Sequence, residues 1–219
     1  HPKVAFSTCT KSGGCLTDAE TMLTMDSQWR WLHDAQSGNC IQGNKWAVDA
    51  ATCGTTCSME GISKSDYQTT YGVAEVTGGI KLKYVNGQSI GSRLYMMEDE
   101  STYKMFKLLN REFSFDVDVS TLDCGLNGAV YFVEMQANGG LGTGSNEAGA
   151  KYGTGYCDAQ CPHDLKFIDG QCNVRGWHMS PTGPIGHYGS CCSEMDIWEA
   201  NAKATAYTAH PCATMGPKR

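Results

Sequence analysis

A chain of 219 residues is long enough to bury one large hydrophobic core. Its net charge is −6, only 18% of its residues are charged, and no cluster of Lys and Arg stands out, which argues against nucleic acid and anionic membrane as partners. No apolar run approaches the length of a membrane span, and His1-Pro2-Lys3 opens directly into polar sequence rather than a signal peptide, so the chain reads as a mature form or a fragment.

Residues 1–28 read as short strands and turns. Cys9 and Cys15 flank Thr-Lys-Ser-Gly-Gly, a turn that a local disulfide would close. Trp29-Arg30-Trp31 follows, and a strand would put both indoles on one face. Facing a core they would pack; on a concave surface they would stack on flat rings. The residues by themselves favour packing. Residues 33–66 are loop-rich and carry Cys40, Cys53 and Cys57, a stapled excursion. Residues 67–90 are β-type, with turn signals at Gly78-Gly79 and Asn86-Gly87.

The clearest strands lie in residues 92–135. They are 93–97, 103–109, 112–119 and 129–135. Phe113, Phe115, Val117 and Val119 alternate with Ser114, Asp116 and Asp118, the pattern of a half-buried antiparallel strand. Ala129 to Met135 is apolar on both faces, which predicts a central strand. The glycine-rich run from Asn138 to Gly155 lacks the Lys-Ser/Thr of a P-loop and reads as a surface loop beside a binding cleft. Residues 162–190 are again loop-rich, and Ala200-Asn-Ala-Lys-Ala-Thr-Ala is expected to leave the sheet as a short helix or loop. No long amphipathic helix is visible. Many short strands with regular turns predict an all-β sandwich.

Twelve cysteines suit a disulfide framework in a secreted protein or, in the cytosol, metal sites. Cys157-Asp-Ala-Gln-Cys161 and Cys191-Cys192 could together form a four-thiolate zinc site. Adjacent cysteines point in different directions on a strand, however, so disulfides are favoured. No Asn-X-Ser/Thr sequon supports secretion independently.

The most informative stretch is Cys192-Ser-Glu194-Met-Asp196-Ile-Trp198-Glu199. Glu194 and Asp196 share one face of a strand, whereas Glu199 has the wrong parity. A one-residue β-bulge between Asp196 and Glu199 would aim all three acids at one place. Crowded carboxylates cannot all ionise easily, so one should hold its proton near neutral pH. A retaining glycoside hydrolase needs one ionised nucleophile and one protonated acid. Acid clusters on amphipathic segments are more often solvated faces. A calcium site would want a glycine-containing ligand loop, which is missing.

Glu194-Met-Asp-Ile-Trp-Glu199-Ala-Asn201 resembles the signature of family-seven glycoside hydrolases, the fungal-type cellobiohydrolases and endoglucanases. The resemblance extends to Gly13-Gly14-Cys15, Trp29-Arg-Trp31, Arg93-Leu-Tyr95, Phe113-Ser-Phe-Asp-Val-Asp-Val119, Cys124-Gly-Leu-Asn-Gly-Ala129, Ala150-Lys-Tyr-Gly-Thr-Gly-Tyr-Cys-Asp158 and His210-Pro-Cys212. It runs from end to end of the chain.

The resemblance implies an all-β, concanavalin A-like jelly-roll sandwich of two curved antiparallel sheets with long disulfide-stapled loops. It implies a secreted, extracellular and monomeric cellulase acting on β-1,4-glucan without cofactor or metal. Glu194 would be the nucleophile and Glu199 the acid/base, with carboxyl groups roughly 5–5.5 Å apart. Asp196 would tune Glu194, and His210 would belong to the catalytic neighbourhood. Trp29 and Trp31 would become sugar-stacking residues, with Arg93, Asn127, Tyr131, Asp158 and Gln160 lining the cleft. The segment from Gly170 to Ser190 resembles the cellobiohydrolase version, which implies processive action from the reducing end; an endoglucanase is the alternative. A non-catalytic glucan-binding sandwich is the reading from another class.

The family's catalytic domains are about twice this length. Residues 1–219 are therefore expected to be a partial catalytic domain, truncated in its C-terminal half and inactive alone. Cys157 would pair with Cys192, Cys161 with Cys191 and Cys40 with Cys57. Cys124 and Cys212 match cysteines whose partners would lie further on. Cys53 and Cys172 are left over.

Overall fold

The computed structural model describes residues 1–213 and 216. Strands and turns dominate, and the longest helix among the described residues is the six-residue Lys64–Thr69. None is long and apolar enough to cross a membrane. Two three-stranded antiparallel sheets organise the chain. The first contains β1 (Lys3–Thr10), β2 (Gly14–Met25) and β3 (Leu94–Met96), with β2 in the middle. The Cys9–Cys15 disulfide closes the β1–β2 turn, where the two cysteines stand opposite each other. Only the last residues of β2 are buried, at the end that also pairs with β3.

The second sheet contains β4 (Gly128–Val133), β5 (Glu194–Ala200) and β6 (Thr205–His210). Its centre is β5, and β4 flanks it, contrary to the expectation that the doubly apolar β4 would be central. The outer apolar residues of β4 are met by rings instead of a ladder. Phe132 lies 5.5 Å from Phe106 and 5.2 Å from Phe113, centroid to centroid. The expected strands 103–109 and 112–119 do not form; Tyr103 makes one bridge to Met97. Alternation gives a segment an apolar face, but a strand also requires a neighbour in register. Phe106 and Phe113 supply the face without the ladder.

Residues 201–204 turn tightly from β5 into β6 rather than leaving the sheet. The Asn201 carboxamide oxygen accepts from the backbone N–H groups of Lys203 and Ala204, at 2.9 and 3.1 Å. This is the side-chain turn chemistry expected of Asn. Both glycine turn signals in 67–90 do become hairpins, Val73–Val76 with Gly79–Leu82 and Val85–Asn86 with Ser89–Ile90.

The Asn138 to Gly155 run is not a surface loop throughout. Asn146, Ala150 and Thr154 are buried. Gly153 has φ +73°, and a Cβ there would lie 2.1 Å from the Met25 carbonyl oxygen. Glycine is required for that close approach to β2.

Five disulfides are formed among the described residues. Besides Cys9–Cys15 they include Cys40–Cys57, Cys157–Cys192 and Cys161–Cys191, the pairings implied by the resemblance. The fifth joins the two leftover cysteines, Cys53 and Cys172, across 119 residues. It ties the short helix Cys53–Thr56 to the hairpin of Phe167–Ile168 and Gln171–Cys172. Cys124 is an exposed free thiol.

Candidate active site

The bulge required by the acid stretch is present. In the β5–β6 ladder Asp196 faces Thr208 and Glu199 faces Ala206, so β5 has one residue too many there. In the β4–β5 ladder the register jumps between Trp198 and Asp196, which leaves Ile197 as the extra residue. Bulges twist a strand and re-aim side chains. Here the extra residue restores the parity of Glu199 with the Glu194–Asp196 pair, close enough for its charge to act on Asp196.

Glu194 stands opposite His210 in the ladder. Asp196 is 5% exposed, and its Oδ2 lies 3.0 Å from His210 Nε2. Polar atoms of Glu194, Asp196 and His210 all fall within 4.8 Å of one another. This trio could also offer ligands to a divalent cation, and it is the one such grouping among the described residues. It coincides with the acid cluster. Glu199 Oε1 accepts a 2.8 Å hydrogen bond from Asn127 Nδ2, just before β4. Glu194 Oε2 accepts from the Ala159 backbone N–H at 3.2 Å.

Burial foremost pushes Glu194 up from 4.5 to about 7; the Ala159 N–H opposes this, the Asp158 and Asp196 charges add to it, and His210 opposes it. Burial also raises Asp196, with Glu199 adding and His210 opposing. The folded protein therefore holds one proton on the Glu194–Asp196 pair more tightly than the unfolded chain does between pH 4.5 and about 7. Stability from this pair is full below that window and is lost as pH rises through it. In the full-length protein, Tm should decline over this range more steeply for wild type than for Glu194→Gln. Parallel curves would show that the Glu194–Asp196 pair does not titrate there.

The other sequence candidates occupy two regions. Tyr131 faces Asp196 across the β4–β5 ladder, and its hydroxyl lies 3.2 Å from that of Tyr156. Asp158 accepts from Tyr156 Oη at 2.7 Å and from the Gln160 N–H at 2.8 Å. The Gln160 residue itself is exposed. These lie beside the acid cluster. Arg93 sits farther back. It pairs with the fully buried Asp26 through Nε and a terminal nitrogen, both at 2.8 Å. Its guanidinium lies 3.3 Å from the Tyr156 ring centroid and 5.6 Å from that of Trp29.

Trp29 and Trp31 are not neighbours on one strand face. Trp29 ends a 3-10 turn, Ser27–Trp29, which the Asp26 carboxylate caps through the Gln28 N–H at 2.6 Å. That cap outweighs the strand tendency of the indoles. Trp29 is half-buried against the Met25, Tyr67 and Val73 cluster, and its indole N–H donates to the Ile90 carbonyl at 3.1 Å. Trp31 is 41% exposed; it packs on His33 at 4.3 Å and donates to Asn39. The half-buried Lys166 ammonium donates to the carbonyls of Gln28 and Arg30, at 2.6 and 3.3 Å, and so braces the backbone on both sides of Trp29.

Sequence reasoning missed Tyr156, Asp26 and the Ala159 amide. Tyr156 stands two residues before Asp158, inside a stretch already singled out. A backbone amide such as that of Ala159 leaves no residue-type signal.

The two antiparallel sheets and the carboxylates gathered at a bulge on the central strand of the second make this an all-β chain with a candidate acid site. Residues 1–219 match Glycosyl hydrolase family 7, and the chain belongs to that family. A family 7 cellobiohydrolase from Daphnia pulex superposes with a TM-score of 0.94 at 45% identity, over 99% of this chain and 51% of its own. For a cellobiohydrolase from Melanocarpus albomyces, solved with cellotetraose, the values are 0.91 and 44%, over 100% and 53%. A Humicola insolens endocellulase gives 0.82 and 35%, over 100% and 53%. The chain thus spans about half the length of these structures. Its fold is the family's β-sandwich, with disulfide-stapled loops.

Proposed function

We propose that this chain carries the reacting carboxylates of a retaining glycoside hydrolase that cleaves β-1,4-glucosidic bonds in cellulose. The gathering of Glu194, Asp196 and Glu199 by the bulge at Ile197 carries the reading. Glu194 attacks the anomeric carbon while the glycosidic C–O bond breaks. Glu199, oriented by Asn127, gives its proton to the departing oxygen. Water then attacks the glycosyl-enzyme, Glu199 takes the water's proton, and Glu194 leaves.

Glu194 must be ionised to attack. Asp196 is the more deeply buried of the two and its neutral form is the less costly there. The Ala159 N–H favours charge on Glu194. The shared proton therefore belongs on Asp196, with His210 Nε2 beside its Oδ2.

The substrate follows from the relatives and from the surface. A neutral glucan suits a chain with 18% charged residues. The exposed indole of Trp31 offers a stacking platform, and the half-buried Trp29 is the second aromatic of the pair. In this reading Arg93, Asn127, Tyr131, Asp158 and Gln160 are the further residues that bind or support the glucan chain. Five disulfides fit a secreted, extracellular enzyme. Residues 1–219 act as part of a larger catalytic domain.

Among cellulases, a processive reducing-end cellobiohydrolase is favoured over an endoglucanase. The cellobiohydrolases superpose more closely, at 0.91–0.94 against 0.82. The hairpin of His178–Ser180 with Gly183–Ile185 also belongs to the long segment that resembles the cellobiohydrolase version. On amorphous cellulose the full-length enzyme should release mainly soluble cellobiose. A rapid fall in polymer length would assign it to the endoglucanases instead.

A further inference from the structure

Between the buried interior and the acid cluster runs a chain of polar side chains that the mechanism above does not use. It starts at Asp26, which is fully buried and accepts from Arg93 and from the Tyr95 hydroxyl. The Arg93 guanidinium lies against the face of Tyr156. Tyr156 is 5% exposed, and its hydroxyl meets that of Tyr131 and donates to Asp158 Oδ2. Asp158 Oδ1 accepts from Gln160, and between these two residues stands Ala159, whose N–H holds Glu194.

Two disulfides, Cys157–Cys192 and Cys161–Cys191, pin the backbone of this turn at both ends. They leave the carboxylate of Asp158 free to rotate. Its orientation depends on two donors, the Gln160 N–H on one oxygen and the Tyr156 hydroxyl on the other. A rotated Asp158 would give up its bond to the Gln160 N–H, and the amide of Ala159 would tilt with the turn. It would also change the distance between its charge and Glu194. The ring of Tyr156 cannot follow such a movement, because Arg93 sits against one face and Asp26 anchors that guanidinium.

We propose that Tyr156 is a positioning residue for Glu194: its hydroxyl fixes the Asp158 carboxylate and, through the turn, the Ala159 amide that holds the attacking oxygen. This rests on the reading of Glu194 as the nucleophile. A hydrogen bond to a charged group has a weight large enough to show in turnover.

The test uses the full-length protein and cellotetraose, with Tyr156→Phe, Asp158→Asn and the double variant. Phe keeps the ring against Arg93 and removes only the hydroxyl. Expected is a fall in kcat of roughly 10-fold or more, with KM changed by less than about threefold and Tm nearly unmoved. In the double variant the loss should equal that of Asp158→Asn alone, because Tyr156 acts through Asp158. Wild-type kcat in folded Tyr156→Phe, or losses that simply add, would overturn the proposal. Should Tyr156→Phe fail to fold, Asp158→Asn carries the test by itself, and an unchanged kcat in it overturns the proposal equally. A wild-type protein without turnover would instead sink the underlying reading of the function.

Discussion

Replacing Glu194 by Gln should abolish hydrolysis and leave glucan binding intact. The amide keeps the size of the side chain and can still accept from the Ala159 N–H, so the bulged strand keeps its shape. It cannot attack carbon. Loss of a nucleophile costs on the order of 10³-fold or more in kcat, because no other group completes the displacement. Asp196 cannot replace it, since it is 5% exposed and engaged with His210. Release of reducing ends from cellotetraose and calorimetric binding to the same oligosaccharide would be measured together. Turnover within tenfold of wild type would remove Glu194 from the mechanism. Binding without turnover in both proteins would leave a glucan-binding sandwich as the function.

The acid cluster was legible because its logic is local. Glu194, Asp196 and Glu199 could share one face only if a residue was looped out between the last two, and Ile197 is that residue. Cys9 and Cys15 were legible for the same reason, with a turn sequence between them. The Cys53–Cys172 bridge was not. Its partners are 119 residues apart, and nothing local joins a four-residue helix to a distant hairpin. Strands failed where the partner decides. Phe113 to Val119 has the alternation, but a ladder needs a neighbour in register, and among the described residues its phenylalanines meet rings instead. Trp29 shows the converse. A single carboxylate, that of Asp26, caps the turn and turns an apparent strand into a 3-10 turn. That same Asp26 anchors Arg93 through its other oxygen, so one buried acid shapes both the platform and the support of the site. Such double use is invisible in a sequence read one segment at a time.

Glu199→Gln should fail differently from Glu194→Gln, and the difference is what assigns the two roles. Without a proton donor, cellulose and cello-oligosaccharides should be hydrolysed about 10²–10⁴-fold more slowly. An aryl cellobioside with a strongly acidic phenol needs no proton to leave, so its glycosylation step should survive. The glycosyl-enzyme on Glu194 then accumulates, because no base activates water. A burst of phenol followed by a slow steady state is the expected trace. Added azide needs no base and should restore the steady rate, giving the glycosyl azide with retained configuration. Asn127 should feel the change least, since a glutamine at 199 still accepts from its carboxamide. If the aryl cellobioside showed no burst and azide gave no rescue, Glu199 would not be the acid/base. Azide rescue of Glu194→Gln with inverted product would independently mark Glu194, which stands opposite His210, as the nucleophile.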